Sequence, residues 1–209
     1  MVPLNGEAVE GGNSAAYSSG MAPPTRRSSP KTAIRLRILL KGHMPVIWRR
    51  LLVPGEIKLS KLHSIFQAAM GWEDYHLHVF EIGGLAYGPP DEEPDEEELD
   101  EDSAVLSEVV EAPMRFSYRY DFGDDWRHEV VVESVEPVPL ILKFATCVDG
   151  QRACPPEDCG GTGGFERLVE AFRNPDSSEA VDYRQWLGRP FDPEAFSVAA
   201  TNATLQRVR

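Results

Sequence analysis

From Thr32 onward the chain moves between two hydrophobic rhythms. TAIRLRILL sets Ile34, Leu36 and Ile38 against Arg35 and Arg37, the period of two of a half-buried strand with its arginines turned to solvent. After the turn from Gly42 to Pro45, VIWRRLLVP predicts the second strand of an opening hairpin, with Trp48 turned inward to anchor the core. LSKLHSIFQAAMGW then changes period: Leu62, Ile65, Phe66, Ala69 and Met70 recur at helical spacing, with Ser60 as the expected N-cap and Gly71 as the expected stop. His63 rides on this helix and is expected at its partly exposed surface. HLHVFEIGGLAYG returns to period two, with His76 and His78 on one face and Leu77 and Val79 on the other, until Gly83 and Gly84 interrupt it.

SAVLSEVV predicts a short element of undecided type. MRFSYRY and WRHEVVVESV flank an Asp-Phe-Gly-Asp-Asp turn and predict a β-hairpin over Met114–Tyr120 and Trp126–Val135. GGFERLVEAFRN, EAVDYRQWLG and PEAFSVAATNATLQ carry apolar residues three and four apart and predict three closing helices. Strands early and helices late give an α+β fold: one domain, a mainly antiparallel sheet, one early helix and a C-terminal helical segment.

Composition adds boundaries to this pattern. Residues 1–32 are rich in Gly, Ser, Pro and Ala and poor in large aliphatics, so they read as a disordered tail before a folded domain at 33–209. The net charge of -13 is concentrated, because ten acids lie between Asp91 and Asp102; the remaining 24 face 21 bases. That run, 91–102, is expected to be an exposed, self-repelling loop. The folded body is then near neutral, and nucleic acid is a disfavoured partner. No apolar stretch reaches the ~20 residues of a membrane helix, so no membrane partner is expected. Three cysteines, with no basic-then-apolar leader, argue against a secreted disulfide framework and for the cytoplasm.

Candidate chemistry gathers in two places. CVDGQRACPPEDCGG holds all three cysteines, Cys147, Cys154 and Cys159, and two carboxylates, Glu157 and Asp158. Three thiolates could hold zinc or iron, although the spacing is not the short Cys-x-x-Cys grip; the other reading is a proline-stiffened structural loop with inert thiols. A second candidate metal set is His76, His78, Asp124 and His128, weighed against turn aspartates that cap their own backbone and histidines that pair with carboxylates. Asp121 and Asp125 lie in the same turn. GGTGGF, at 160–165, lacks the Lys-Ser or Lys-Thr of a phosphate loop and reads first as a turn into a helix. P-loop, dinucleotide fingerprint, nucleophile elbow and His-Glu-x-x-His are all absent from the sequence.

PVIWRRLLVP, LSKLHSIFQAAMGWEDYHLHVFEI, YDFGDDWRHEVVVE, CVDGQRACPPEDCGG and WLGRPFDPEAF, read together, resemble the plasmid pRiA4b ORF-3-like family over about 33–205. The resemblance implies a single α+β domain found on plasmids and in many bacterial and archaeal genomes, often labelled a passenger resolvase of insertion elements. Resolvase chemistry is not implied, since a serine recombinase needs a nucleophilic serine among arginines and a basic DNA-binding helix. Ser177 and Ala180 stand where family members often carry histidines, and Ser197 where an acidic residue is usual. The expectation is therefore a cytoplasmic binding module associated with mobile elements, with a protein partner and a recognition surface of Arg49, Trp72, Tyr75 and Trp126. The alternatives are a metal-dependent hydrolase or nuclease using the cysteine loop or the His/Asp set, with zinc the candidate ion, and DNA binding through Arg35, Arg37, Arg49 and Arg50.

Overall fold

The computed structural model describes residues 31–90, 98–140 and 142–208. The expected tail lies outside the described residues except for Lys31 and Thr32, as does the 91–97 part of the acidic run. The chain forms β1 (Thr32–Leu40), β2 (Ile47–Pro54), α1 (Leu59–Met70), β3 (His78–Ile82) and β4 (Leu85–Gly88). Next come β5 (Glu98–Asp100), a 3-10 turn (Glu101–Ser103), α2 (Leu106–Val109), β6 (Met114–Tyr120), β7 (Trp126–Pro137) and β8 (Thr146–Gln151). It closes with α3 (Gly161–Arg173), α4 (Ser178–Leu187) and α5 (Val198–Leu205). The eight strands make one sheet in the order β5-β4-β3-β6-β7-β1-β2-β8, antiparallel except for the β4–β5 pair.

The period-two pattern decides which face of this sheet is dry. Ile34, Leu36, Ile38 and Leu40 of β1, Phe116, Tyr118 and Tyr120 of β6, and Trp126, His128, Val130 and Val132 of β7 are all buried. On them lies α1, through Leu59, Leu62, Ile65, Phe66 and Met70. The opposite face carries paired charges. Glu133 takes a bidentate guanidinium from Arg50, at 2.8 and 3.0 Å, and approaches Arg37 at 3.6 Å. Arg37 and Arg50, two of the four arginines of the DNA-binding alternative, are thus already engaged by a carboxylate.

Three local expectations are corrected. Trp48 faces outward and Arg49 inward, because the alternation of β2 runs through Ile47, Arg49, Leu51 and Val53. Ser60 does not cap α1; Lys58 occupies that position, and the Ser60 hydroxyl donates to Asp102 at 2.5 Å. His63, expected at the surface, is buried against the sheet. Gly71 does end α1, in the left-handed conformation at φ 94°. The end of the acidic run is ordered too: it supplies β5 and a buried Glu101.

Arg49 is the fold's internal clamp. Its Nε donates to Ala69 O near the end of α1 at 3.0 Å, and one terminal nitrogen donates to Trp48 O and Gln151 O at 2.8 and 2.9 Å. The other reaches Cys154 Sγ at 3.4 Å, and the guanidinium lies over Phe196 at 4.4 Å. Beside it, the edge strand β8 is covered by α5, whose Asn202 amide accepts from Cys147 N at 2.7 Å and donates to Cys147 O at 2.9 Å. That amide stands in for a ninth strand.

Two stability predictions follow from this packing. Arg49→Lys, which keeps the charge but not the fork of donors, is expected to cost ~2–4 kcal/mol in a denaturant melt; a change below about 0.5 kcal/mol would contradict the clamp. Burial holds His128 neutral, its pKa lowered from 6.5 to about 4. The unfolded chain therefore binds a proton that the fold excludes, and stability present above pH 6.5 is lost as pH falls toward 4. Relative to His128→Phe, the native chain should lose up to ~3 kcal/mol across that window. Parallel stability profiles for the two proteins would refute it.

Candidate functional site

Three turns meet at one end of the dry face: the α1–β3 connection (72–77), the β6–β7 turn (121–125) and the segment 154–159. Trp72 joins them. Its ring stacks on Tyr120 at 5.0 Å and Trp126 at 6.1 Å, and its indole N–H donates to Pro155 O at 2.9 Å. The glycines after Cys159 permit the third turn to close: Gly160 and Gly161 have φ of 88° and 64°, and a Cβ on Gly164 would sit 1.8 Å from Cys159 O.

Among the described residues, two groups of three His, Cys, Asp or Glu side chains bring their ligand atoms within 4.8 Å of one another: His76, Asp121 and Asp158, and His63, Asp74 and His78. They differ in kind. His76 Nε2 stands 3.2 Å from Asp158 Oδ1 and 3.6 Å from Asp121 Oδ2, and it is buried without a hydrogen-bond partner. The Asp121 carboxylate is aimed by its own turn, since Oδ1 accepts from Gly123 N at 2.9 Å and Asp124 N at 3.2 Å. For ligand bonds near 2.1 Å, the edges of an octahedron or tetrahedron are about 2.9–3.4 Å. The 3.2 Å separation lies within that edge range and the 3.6 Å separation just beyond it.

In the second group the His63 and His78 rings stack with centroids 3.4 Å apart and planes 6° from parallel. An ion bound to both would lie about 1.7 Å out of each ring plane, whereas imidazole lone pairs lie in plane at ~2.0–2.1 Å. This group is a hydrogen-bonded pair rather than a chelate. His63 Nε2 meets Asp74 Oδ1 at 2.7 Å and His78 Nε2 meets Glu101 Oε2 at 2.8 Å. His63 Nδ1 meets the Tyr118 hydroxyl at 2.8 Å, and that hydroxyl accepts from Gln67 Nε2 at 3.0 Å. Burial, followed by the charge of His78, lowers the His63 pKa.

Glu157 borders the first group. Its Oε1 accepts from the Tyr120 hydroxyl at 3.0 Å and Glu73 N at 2.9 Å, while its Oε2 is buried with no partner. Burial raises its pKa. Tyr120, whose own pKa is raised by burial and then by Glu157, lies 5.9 Å from the His76 ring and 6.2 Å from the His63 ring.

The expected cysteine centre does not form. Cys147 faces Asp149 O at 3.3 Å, Cys154 packs between Arg49 and Met70 Sδ at 3.5 Å, and Cys159 is half-buried, so the sulfurs belong to no common ligand group. Burial raises all three thiol pKa values, that of Cys159 to about 12. Burial thus favours the neutral thiol at each position. The set His76, His78, Asp124 and His128 is divided as well. His78 belongs to the stacked pair, Asp124 Oδ2 accepts from Gly160 N at 3.1 Å, and His128 is buried behind Trp72. Adjacent strand positions are held by different neighbours, which separates what sequence proximity grouped. Of the expected recognition residues, Arg49, Trp72 and Trp126 are buried and Tyr75 is 67% exposed.

Comparison with known proteins follows this geometry. A family model described as plasmid pRiA4b ORF-3-like protein matches residues 32–200. The chain belongs to the plasmid pRiA4b ORF-3-like family. Uncharacterized protein y4hQ of Sinorhizobium fredii is 34% identical over 164 residues, covering 75% of this chain and 81% of y4hQ. The crystal structure of MM3350 from Methanosarcina mazei Go1, a protein of unknown function, aligns with a TM-score of 0.73 at 35% identity, covering 82% of this chain and 98% of that one.

All three site turns fall inside the span matched by the pRiA4b ORF-3-like model. Two serines are helix caps: Ser177 Oγ accepts from Ala180 N at 3.2 Å, and Ser197 Oγ from Ala200 N at 3.3 Å. Among the described residues no helix is long and apolar enough to cross a membrane. Trp72→Ala should cost ~3–5 kcal/mol in a denaturant melt, and Trp72→Phe, which loses the bond to Pro155 O but keeps a ring, about 1–2 kcal/mol. Equal losses in the two variants would remove Trp72 as the joint of the three turns.

Proposed function

We propose that this protein is a divalent-metal-dependent hydrolase with the ion held by His76 Nε2, Asp121 Oδ2 and Asp158 Oδ1. The observation that carries the reading is the convergence of these three side chains, with His76 Nε2 at 3.2 and 3.6 Å from the two carboxylates and lacking a hydrogen-bond partner. One imidazole and two carboxylates suit zinc or manganese. Asp158 is 68% exposed, so three protein ligands leave room for water and substrate, the pattern of catalytic rather than structural sites. A bound ion would acidify its water and polarise a substrate oxygen. Glu157, with one oxygen tied to Tyr120 and Glu73 and the other unpartnered, would accept the water proton and pass it to the leaving group.

A second reading, a protein-binding module, is favoured by one observation. Tyr75, Leu77 and Phe122 are 67%, 62% and 44% exposed on the α1–β3 connection and the β6–β7 turn. Three free cysteines support a cytoplasmic setting for either reading.

Calorimetric titration of chelator-treated protein with zinc or manganese separates the two. About one ion per chain should bind, and Asp121→Asn should weaken it ~10–100-fold, while Glu101→Gln leaves affinity unchanged. Glu157→Gln should retain the ion and lose at least ~100-fold in turnover. No binding, or binding indifferent to Asp121, would leave the interaction module.

A further inference from the structure

The walls around the centre say which substrates it would admit. Glu73, Asp74, Asp124 and Glu157 share the three turns that carry His76, Asp121 and Asp158, so a doubly charged ion balanced by its two aspartates still leaves four carboxylates on those turns. Two neighbouring guanidiniums are committed: Arg119 and Arg127 both pair with Asp125, at 2.5 and 2.8 Å, and Arg119 lies over Phe122 at 4.8 Å. A third, Arg167, stands beside Gly160 and Gly164 and offsets part of the acidic wall. The N-terminus of α3, the element best suited to an anion, directs Gly160 N at the Asp124 carboxylate. A cleft of one charge sign concentrates ligands of the opposite sign and repels its own.

The rim carries an aromatic ring. Tyr75 is 67% exposed on the chain entering β3, and its backbone N–H donates to the Tyr120 hydroxyl at 3.1 Å. The Tyr75 hydroxyl donates to the Glu73 carboxylate, setting that ring beside the acidic wall.

We infer that the substrate is an amide or ester carrying a cationic group beside an aliphatic or aromatic one, and not a phosphoester. This rests on the metal-centre reading above. The reaction adds water across the acyl bond: the water oxygen bonds to the carbonyl carbon, the bond to nitrogen or alkoxy oxygen breaks, and the water proton goes to the leaving group. No further reactant is required.

The test uses lysine, leucine and glutamate hydroxamates, which chelate a metal through one shared group and differ in side-chain charge. Titrated into zinc-loaded full-length protein in low-salt buffer, the lysine compound should bind about tenfold more tightly than the glutamate compound. Raising salt to about 0.5 M should compress that ratio toward unity. The double variant Glu73→Gln, Asp74→Asn should compress it as well, with leucine hydroxamate unchanged. A glutamate compound bound as tightly as the lysine compound, no binding of any of the three, or displacement of the lysine compound by bis(4-nitrophenyl) phosphate would overturn the substrate class while the metal centre stood. Zinc itself failing to bind would instead overturn the metal centre.

Discussion

The structure depends on how one buried cation is satisfied. Arg49 lies inside the protein and is bonded to backbone carbonyls and a thiol. A buried guanidinium is tolerable when its donors are met, and carbonyls at the end of a helix carry the negative end of the helix dipole. By bonding Ala69 O, Arg49 sets where α1 ends relative to β2 and β8. The chain leaving α1 is the one that carries Trp72, Asp74 and His76. By reaching Gln151 O and Cys154 Sγ, it also places the start of the segment that carries Glu157 and Asp158.

From that clamp the site follows by short steps. Trp72 extends the clamp to the β6–β7 hairpin through its stack on Tyr120 and Trp126. Asp121 and Asp158 adopt left-handed backbone conformations, with φ of 56° and 55°, unusual for residues other than glycine and suited to aspartate because its side chain bonds locally. Both carboxylates of the proposed centre therefore stand at sharp turns. Tertiary contacts hold those turns, and a loose site would not keep two acids beside one imidazole.

The stacked His63–His78 pair has a different purpose in the fold. Each ring takes a carboxylate, and His63 also reaches Tyr118, so the polar groups under α1 are hydrogen-bonded. Glu101 enters this network from the end of the most acidic stretch of the chain. That stretch is thus more than a solvated loop, since its last residues pair with β4 and bury a carboxylate against a histidine.

Local rules sufficed for much of the fold. The alternation in TAIRLRILL and MRFSYRY, the helical spacing of Leu62, Ile65, Phe66 and Ala69, the stop at Gly71 and the Asp-Phe-Gly-Asp-Asp turn are all written in neighbouring residues, and the α+β class and the family follow from them. The pairing of the site was not so written. Whether Trp48 or Arg49 points inward is a choice of strand phase, and two-sided composition left it open. Cys147, Cys154 and Cys159 share a segment, but β8 and the proline turn send their sulfurs to different neighbours. Asp121, Asp158 and His76 lie on three separate turns with no spacing motif, and they meet because long-range contacts through Arg49 and Trp72 bring those turns together. Sequence determined most of the elements and what chemistry each turn carries; tertiary packing decided which side chains face one another, because that depends on contacts between residues more than a hundred positions apart.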